Sequence, residues 1–315
     1  VIPMKNQILR RVVLFFIMIG LPVIVFGQES TNDPHIIVVS GATGTQGGAV
    51  ARSLLDRGFI VRGLTRNPNS EASIALSELG AHMVQGDFDN TSSLDSALNG
   101  AYGAFSVQQY RGVGVEGEIR QSMAFADAAK KAGIQHFIYT SVLYARLGTG
   151  VPQFESKRQI EDYIRDLGMS YSIVRPPSFM VNLEGAWEAA NESIYRTVFP
   201  ADMARHHIAP ADIGRIVAEA FSNPDMWINR ELDIAGQQIS YADIAAAMSR
   251  QLGKLVVYEQ IPWEEFSSSA TPTAISRDAW YLSNLVQVDM GALHEEFPGL
   301  MTVEDYLISA GWNER

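Results

Sequence analysis

Ile36-Ile37-Val38-Val39-Ser40-Gly41-Ala42-Thr43-Gly44-Thr45-Gln46-Gly47-Gly48 sets four aliphatic residues ahead of glycines at positions 41, 44 and 47. Val50 to Arg57 then follow in a helical pattern. The stretch reads as a buried strand, a tight turn and the start of a helix. Glycine lets the backbone turn sharply and lets a ligand approach it closely. The helix start offers free N–H groups and the positive end of its dipole to a phosphate. The spacing is G-x-x-G-x-x-G, a variant of the better-known G-x-G-x-x-G. Strand before and helix after are the context that makes such a turn a dinucleotide site.

Outward from this turn the same rhythm repeats. Phe59–Leu64 is predicted as strand two, Glu71–Leu79 as a helix, and His82–Gln85 as strand three. A short helix is expected over Ser92–Leu98 with Ser92 or Ser93 near its start, then strand four over Tyr102–Val107. Residues Gln108–Gly117 read as a polar loop, Glu118–Ala132 as a long helix, and His136–Thr140 as strand five, with Ser141 at its end. A helix over Glu155–Leu167 and a strand over Tyr171–Val174 complete the series. Strand–helix alternation of this kind implies a doubly wound, parallel α/β sheet.

The rhythm changes after Asn182. Leu183–His207 is aromatic-bearing and irregular. Helices are expected from Asp212, as N-cap, to Phe221, and over Ser240–Leu252 with Ser240 and Asp243 as a capping-box-like start. Glu231–Ile234 and Leu255–Gln260 read as strands, Trp263–Ala274 as a loop, and Met301–Ala310 as a final helix. The predicted organisation is a nucleotide-binding domain over 35–182 and a smaller α/β lobe over 183–315, from which one strand can return to the main sheet. A substrate cleft is expected between them.

Before the first strand, Lys5, Arg10 and Arg11 precede an apolar run from Val12 to Phe26. This has the length and flanks of a secretory signal over 1–27, with cleavage before Gln28, or of an uncleaved anchor. Residues 28–34 form a polar linker. The expected location is exported, periplasmic or inner-membrane anchored if the leader operates, and cytoplasmic if translation begins near residue 30. Contact with a membrane is expected only through this segment. The 315 residues are 47% hydrophobic and 19% charged, an ordinary globular composition. A net charge of −11 without basic runs argues against a nucleic-acid partner. Absence of cysteine excludes disulfides, thiolate metal sites and cysteine nucleophiles. His206 and His207 are adjacent and lack a third ligand at sensible spacing, so no metal site is expected.

Two charged positions bear on the cofactor. A site selecting NAD carries an acidic residue after strand two to hold the ribose hydroxyls. Here Arg66 stands in that place, and a guanidinium can fork onto a 2′-phosphate, favouring NADP over NAD. Asp87, just past strand three, can lie beside the adenine or open a turn.

The chain resembles the NmrA-like family of atypical short-chain dehydrogenases/reductases. The resemblance rests on Val39–Gly47, Thr65-Arg66-Asn67-Pro68, Gln85-Gly86-Asp87, Tyr139-Thr140-Ser141, Ser156-Lys157 and Arg175–Asn182. In the lobe it adds Ala211-Asp212-Ile213-Gly214, Ile261–Glu265 and Phe297–Leu300. It implies an NADP(H)-binding Rossmann domain plus a small lobe. Cofactor contacts are then expected from Gly41, Thr43, Gly44, Thr45, Gln46, Gly47, Arg66, Asp87, Tyr110, Ser141, Lys157, Pro176 and Phe179, with Phe179 and Asn182 shaping the nicotinamide end. It does not imply one reaction, because the family holds both reductases and redox-sensing regulators.

Ordinary short-chain dehydrogenases carry Ser, Tyr and Lys, the tyrosine four residues before the lysine. Ser141 and Lys157 match, but the tyrosine position is Gln153, which has no titratable proton. Lys157 is expected to bond the nicotinamide ribose hydroxyls. A bare, partly desolvated ammonium can also act as proton donor, the role attributed to the lysine of the isoflavone-reductase-like branch. Tyr144, close after Ser141, is the candidate replacement phenol, although it can equally pack. The expected catalytic set is therefore Lys157, Ser141 and Tyr144. The leading expectation is hydride transfer to a small carbonyl, enone or quinone by a monomer or homodimer. The other is a non-catalytic NADP(H) sensor acting on a protein partner.

Overall fold

The computed structural model describes residues 35–314. The expected leader (1–27) and linker (28–34) lie outside the described residues. The first half builds strands β1 (Ile36–Val39), β2 (Ile60–Thr65), β3 (His82–Gln85), β4 (Gly103–Ser106), β5 (His136–Thr140) and β6 (Tyr171–Arg175). Between them run helices α1 (Thr45–Asp56), α2 (Glu71–Glu78), α3 (Thr91–Leu98), α4 (Gly114–Lys131) and α5 (Pro152–Asp166). The second half supplies β7 (Ser178–Phe179), α6 (Trp187–Asn191), β8 (Ile194–Thr197), β9 (Ala204–Ile208), α7 (Pro210–Ser222), α8 (Pro224–Trp227) and β10 (Arg230–Asp233). It ends with β11 (Gln237–Ser240), α9 (Tyr241–Leu252), β12 (Val257–Gln260), α10 (Trp263–Ser269), α11 (Pro272–Ser283), α12 (Met290–Glu296) and α13 (Val303–Ser309).

Seven strands form one parallel sheet in the order β10-β6-β5-β4-β1-β2-β3. Ile37, Val38 and Val39 have no exposed surface, because helices cover both faces. That double cover is why β1 reads as an unbroken aliphatic run rather than an alternation. The chain reverses direction across the sheet between β1 and β4, so their carboxyl ends border the crevice where such folds bind ligands.

Two pieces of this sheet layer come from the second half of the chain. β10 extends the edge at β6, register Arg230↔Ser172 to Asp233↔Arg175. Helix α7 lies against α1 so closely that a Cβ on Gly214 would sit 2.5 Å from the Ala49 carbonyl. Ile213, Ile216, Val217 and Phe221 of α7 share a buried cluster with Val50, Ala51 and Leu54 of α1. A separate cluster, rich in Tyr, Trp and Phe, holds the lobe together and reaches Leu143, Tyr144 and Phe154.

Several boundaries differ from the sequence reading. Asn90, not Ser92 or Ser93, caps α3, its side chain accepting from Ser93 N–H at 3.3 Å. Helix α4 begins at Gly114, inside the expected loop; a Cβ on Gly117 would lie 2.7 Å from that of Val113, the N-cap of the same helix, so the first turn is tight there. Asp212 is not the N-cap of α7. Ala209 is, Pro210 takes the first turn, and the Asp212 carboxylate accepts from Met301 N–H at 2.8 Å. The stretch 183–207 is less irregular than expected, because β8 pairs with β12 and β9 with both β7 and β11. Trp263–Ala274 is no loop: it holds α10 and the start of α11. Thr271 caps α11 by accepting from Ala274 N–H, and Pro272 sits at its first position, so the Thr-Pro pair marks a helix start. No helix among the described residues is long and apolar enough to cross a membrane.

Candidate active site

The turn after β1 is shaped for close approach. Gly41 takes φ +60, and Gly44 N–H donates to the Gly41 carbonyl at 2.9 Å. A Cβ on Gly47 would overlap the Gly41 carbonyl and sit 2.7 Å from that of Ser40. Among the described residues the N-terminus of α1 has no side-chain cap, and Thr43, Gly44 and Thr45 beside it are exposed. Uncapped N–H groups at a helix start are a receptor for phosphate. Gln46 behaves differently from its neighbours: its buried amide donates inward to the Thr140 hydroxyl, fastening the turn to the end of β5. Arg66 is exposed just beyond β2 and forms no ion pair among the described residues. Asp87 is exposed too, and its carboxylate accepts from Asp89 N–H at 3.0 Å, closing the turn before α3.

Lys157 lies one helical turn beyond Gln153 on α5, so the two share a face. Its ammonium donates to the Gln108 carbonyl at 2.9 Å and lies 3.1 Å from Oε1 of Glu118 on α4. The Glu118 side chain has no exposed surface, while Lys157 keeps 12%. The other carboxylate oxygen, Oε2, accepts from the Ser156 hydroxyl at 2.5 Å. Gln108 Oε1 in turn accepts from Ser106 and Ser122 hydroxyls at 3.1 and 3.0 Å. The expectation of a bare ammonium is therefore corrected: Lys157 is fixed as one half of a nearly buried ion pair. Neither Glu118 nor Gln108 was singled out from sequence. The signal was nevertheless there, since Glu118, Ser122, Phe125 and Ala129 fall along one buried stripe of α4.

Ser141 follows β5, its N–H donating to the Val174 carbonyl at 2.8 Å. Its hydroxyl is buried and has no hydrogen-bond partner among the described residues. The next loop is tied to it, because Leu143 N–H donates to the Pro176 carbonyl at 3.0 Å. Pro176 is buried, and Phe179 is half-buried in β7. Asn182 is exposed and donates to the Ser178 hydroxyl at 3.4 Å. Gln153 is buried, its amide donating to the Thr273 carbonyl of α11 at 3.4 Å and its Oε1 unpartnered. Helix α11 thus covers the position where the family tyrosine would stand. Tyr110 is half-buried after β4.

Tyr144 is brought to neither Ser141 nor Lys157 by any hydrogen bond. Its ring packs against Phe154, Trp280 and Tyr281, and its hydroxyl meets Arg205 at 3.5 Å. His206 and His207 are both buried, and burial lowers the His207 imidazole to about 3. Among the described residues, no group of three or more His, Asp or Glu side chains is placed to hold a metal ion. Trp187 packs edge-on to Trp312 at 5.0 Å, and Phe199 stacks on Tyr241 at 5.1 Å.

The residues present fit a dinucleotide: an uncapped helix start, a glycine cradle, an exposed guanidinium after β2, and a fixed ammonium and an unpartnered hydroxyl at the carboxyl ends of neighbouring strands. Known proteins agree with this architecture. The NmrA-like family model matches residues 33–305. The NmrA-like family domain-containing oxidoreductase FrzB of Cladobotryum sp is 31% identical over 269 residues, 75% of this chain and 80% of FrzB. Among solved structures, Citrobacter sp. triphenylmethane reductase complexed with NADP(H) superposes with TM-score 0.73 at 20% identity, over 88% of this chain and 99% of that one. NmrA, a negative transcriptional regulator solved in complex with NADP, superposes with TM-score 0.73 at 22% identity, over 89% and 95%. With its glycine turn, its parallel sheet and a family match over most of its length, the chain belongs to the NmrA-like family.

Proposed function

We propose that the chain is an NADP(H)-dependent oxidoreductase that reduces a small carbonyl, enone or quinone. The observation that carries this reading is the fixed Lys157 ammonium beside the end of β4, with the unpartnered Ser141 hydroxyl at the end of the neighbouring β5. Similarity to FrzB, a family oxidoreductase, supports it.

In this reading the N–H groups of Thr45, Gln46 and Gly47 hold the diphosphate, and Arg66 pairs with the 2′-phosphate. Asp87 borders the adenine, and Pro176 and Phe179 form the wall of the nicotinamide end. The bound nicotinamide supplies the hydride. The free Ser141 hydroxyl donates a hydrogen bond to the substrate oxygen as negative charge grows there. Lys157 holds the ribose hydroxyls and passes a proton. Losing that proton would leave the Glu118 carboxylate buried without its counter-ion, an unfavourable state. Lys157 is therefore re-protonated at once through its solvent-exposed edge and acts chiefly as an anchor.

One observation favours a second reading. Gln153 has no proton to give and is covered by α11 through Thr273, an arrangement suited to an NADP(H) sensor whose lobe meets a protein partner. Calorimetric titration with NADPH and NADH, followed by absorbance at the nicotinamide band with quinone and aldehyde panels, separates the two. Tight NADPH binding with turnover lost in Lys157→Met is expected. Tight binding with no turnover on any panel member would refute the enzyme reading.

A further inference from the structure

A hollow of about 570 Å³ in the lobe is bordered by all four residues of β11, by Asp202, and by Asp243, Ala246 and Arg250 of α9. β11 is an edge strand. It pairs antiparallel with β9 and, among the described residues, with no strand on its other side. Every second residue of such a strand turns its N–H and C=O away from its neighbour, so the free edge is a template for a further strand. Edge strands are commonly blunted by proline or by charge. Gln237-Gln238-Ile239-Ser240 carries neither, and the hollow beside it leaves room for an incoming chain.

The helix that borders this edge is charged in a particular order. Asp243, Ala246 and Arg250 are exposed and fall at i, i+3 and i+7, one stripe of α9. Ala246 stands near the middle, with a carboxylate toward one end and a guanidinium toward the other, about 10 Å apart along the axis. Each charged group keeps an atom uncommitted. Asp243 accepts from the Ser240 hydroxyl on Oδ2 at 2.6 Å, which leaves Oδ1. Arg250 gives Nε and Nη2 to Glu304 at 2.9 and 2.7 Å, which leaves Nη1.

We propose that this face joins two copies of the chain about a two-fold axis, β11 against β11 in antiparallel register, so that the three-stranded sheets of the two lobes become one. The same axis sets α9 antiparallel to α9 of the second copy. Ala246 is small enough to let the helices approach at the axis, and Asp243 of each copy meets Arg250 of the other. A two-fold interface must be complementary to itself. A stripe with opposite charges at its two ends meets that condition when reversed, and the charges then fix the register of the strands. The hollow shares no residue with the candidate active site, so the assignment stands apart from the oxidoreductase reading.

The test uses the full chain. Sedimentation equilibrium is expected to show a dimer. Asp243→Arg sets arginine against arginine at both ends of the stripe and is expected to weaken association at least about tenfold. The chain has no cysteine, so Ala246→Cys places one thiol in each copy, at the axis. Diamide is expected to oxidise the two thiols to a disulfide between copies, while the control Glu78→Cys, exposed on α2, stays single. A dimer indifferent to Asp243→Arg, or Ala246→Cys thiols that join no faster than those of Glu78→Cys, would overturn the assignment. So would a monomeric wild type, which would leave the edge to an extended segment of another protein.

Discussion

The ammonium of Lys157 and the carboxylate of Glu118 stand 3.1 Å apart across the α4–α5 contact, with the carboxylate wholly shielded from solvent. Removing one partner of such a pair strands the other. Glu118→Gln is expected to lower the unfolding free energy by about 2–3 kcal/mol, below the range for fully buried pairs because Lys157 reaches solvent. Urea denaturation measures this. If the pair also sets the position of the ammonium, Glu118→Gln lowers kcat by a larger factor than it raises KM for NADPH, and Glu118→Asp restores part of the loss. A variant with wild-type stability and kcat would show that the pair is incidental.

The turn after β1 admits no side chain at position 47, where a Cβ meets the carbonyls of Gly41 and Ser40. Gly47→Ala is expected to cost at least about 2 kcal/mol, since backbone rather than a flexible side chain must move. It should also weaken dinucleotide binding measured by calorimetry. Gly58→Ala is the useful contrast: its φ is +81 but it has open space around it, so it is expected to cost only about 1 kcal/mol and to leave nucleotide affinity intact.

Arg66 is exposed and uncommitted beyond β2. Arg66→Ala is expected to weaken NADPH by at least about tenfold, as loss of a forked charge-assisted contact would, and to leave NADH nearly unchanged. Equal losses for both nucleotides would remove the 2′-phosphate role.

The Ser172 hydroxyl donates a hydrogen bond to the Trp227 carbonyl at 2.5 Å and so accepts from His136 Nε2–H at 2.8 Å, and burial lowers the imidazole to about 4. In the unfolded chain the same ring protonates near its ordinary 6.5. Below that value the unfolded state binds more protons than the folded one, so stability falls with falling pH, down to about 4. Each such group contributes a slope of up to roughly 1.4 kcal/mol per pH unit. His136→Gln is expected to reduce the slope of unfolding free energy by about that amount within this window, with little change in slope above it.

Helix α3 offers a direct comparison of two neighbouring polar residues. Asn90→Ala is expected to cost about 1 kcal/mol through loss of the cap, and Ser92→Ala under about 0.5 kcal/mol. Thermal unfolding of the two variants checks the assignment.

The parallel sheet was legible because its signals are local. An unbroken aliphatic run, glycines at a fixed spacing and helices closed by Gly58, Gly80, Gly133 and Gly168 each depend on a few adjacent residues. The lobe was less legible because its order depends on distant pairings. Ile194–Thr197 is a strand because Val257–Gln260 lies beside it, more than fifty residues later. Asp212 reads as a cap until the backbone of Met301 is seen to use its carboxylate. In the candidate site, Ser141 and Lys157 follow from the resemblance. The partners of Lys157 required knowing which face of α4 meets α5, and only a carboxylate on an otherwise small and apolar stripe hinted at it.

The return of β10 and α7 to the seven-stranded sheet has a consequence for synthesis. A chain emerging from the ribosome has made the first six strands of the sheet by Arg175, yet β6 still lacks its outer neighbour β10 and α1 still lacks α7. Completion waits for about sixty further residues, through Asp233. The first half is therefore not a self-sufficient folding unit: released early or cloned alone, it exposes an unpaired strand edge and the apolar flank of α1, the two features that most invite association with other chains.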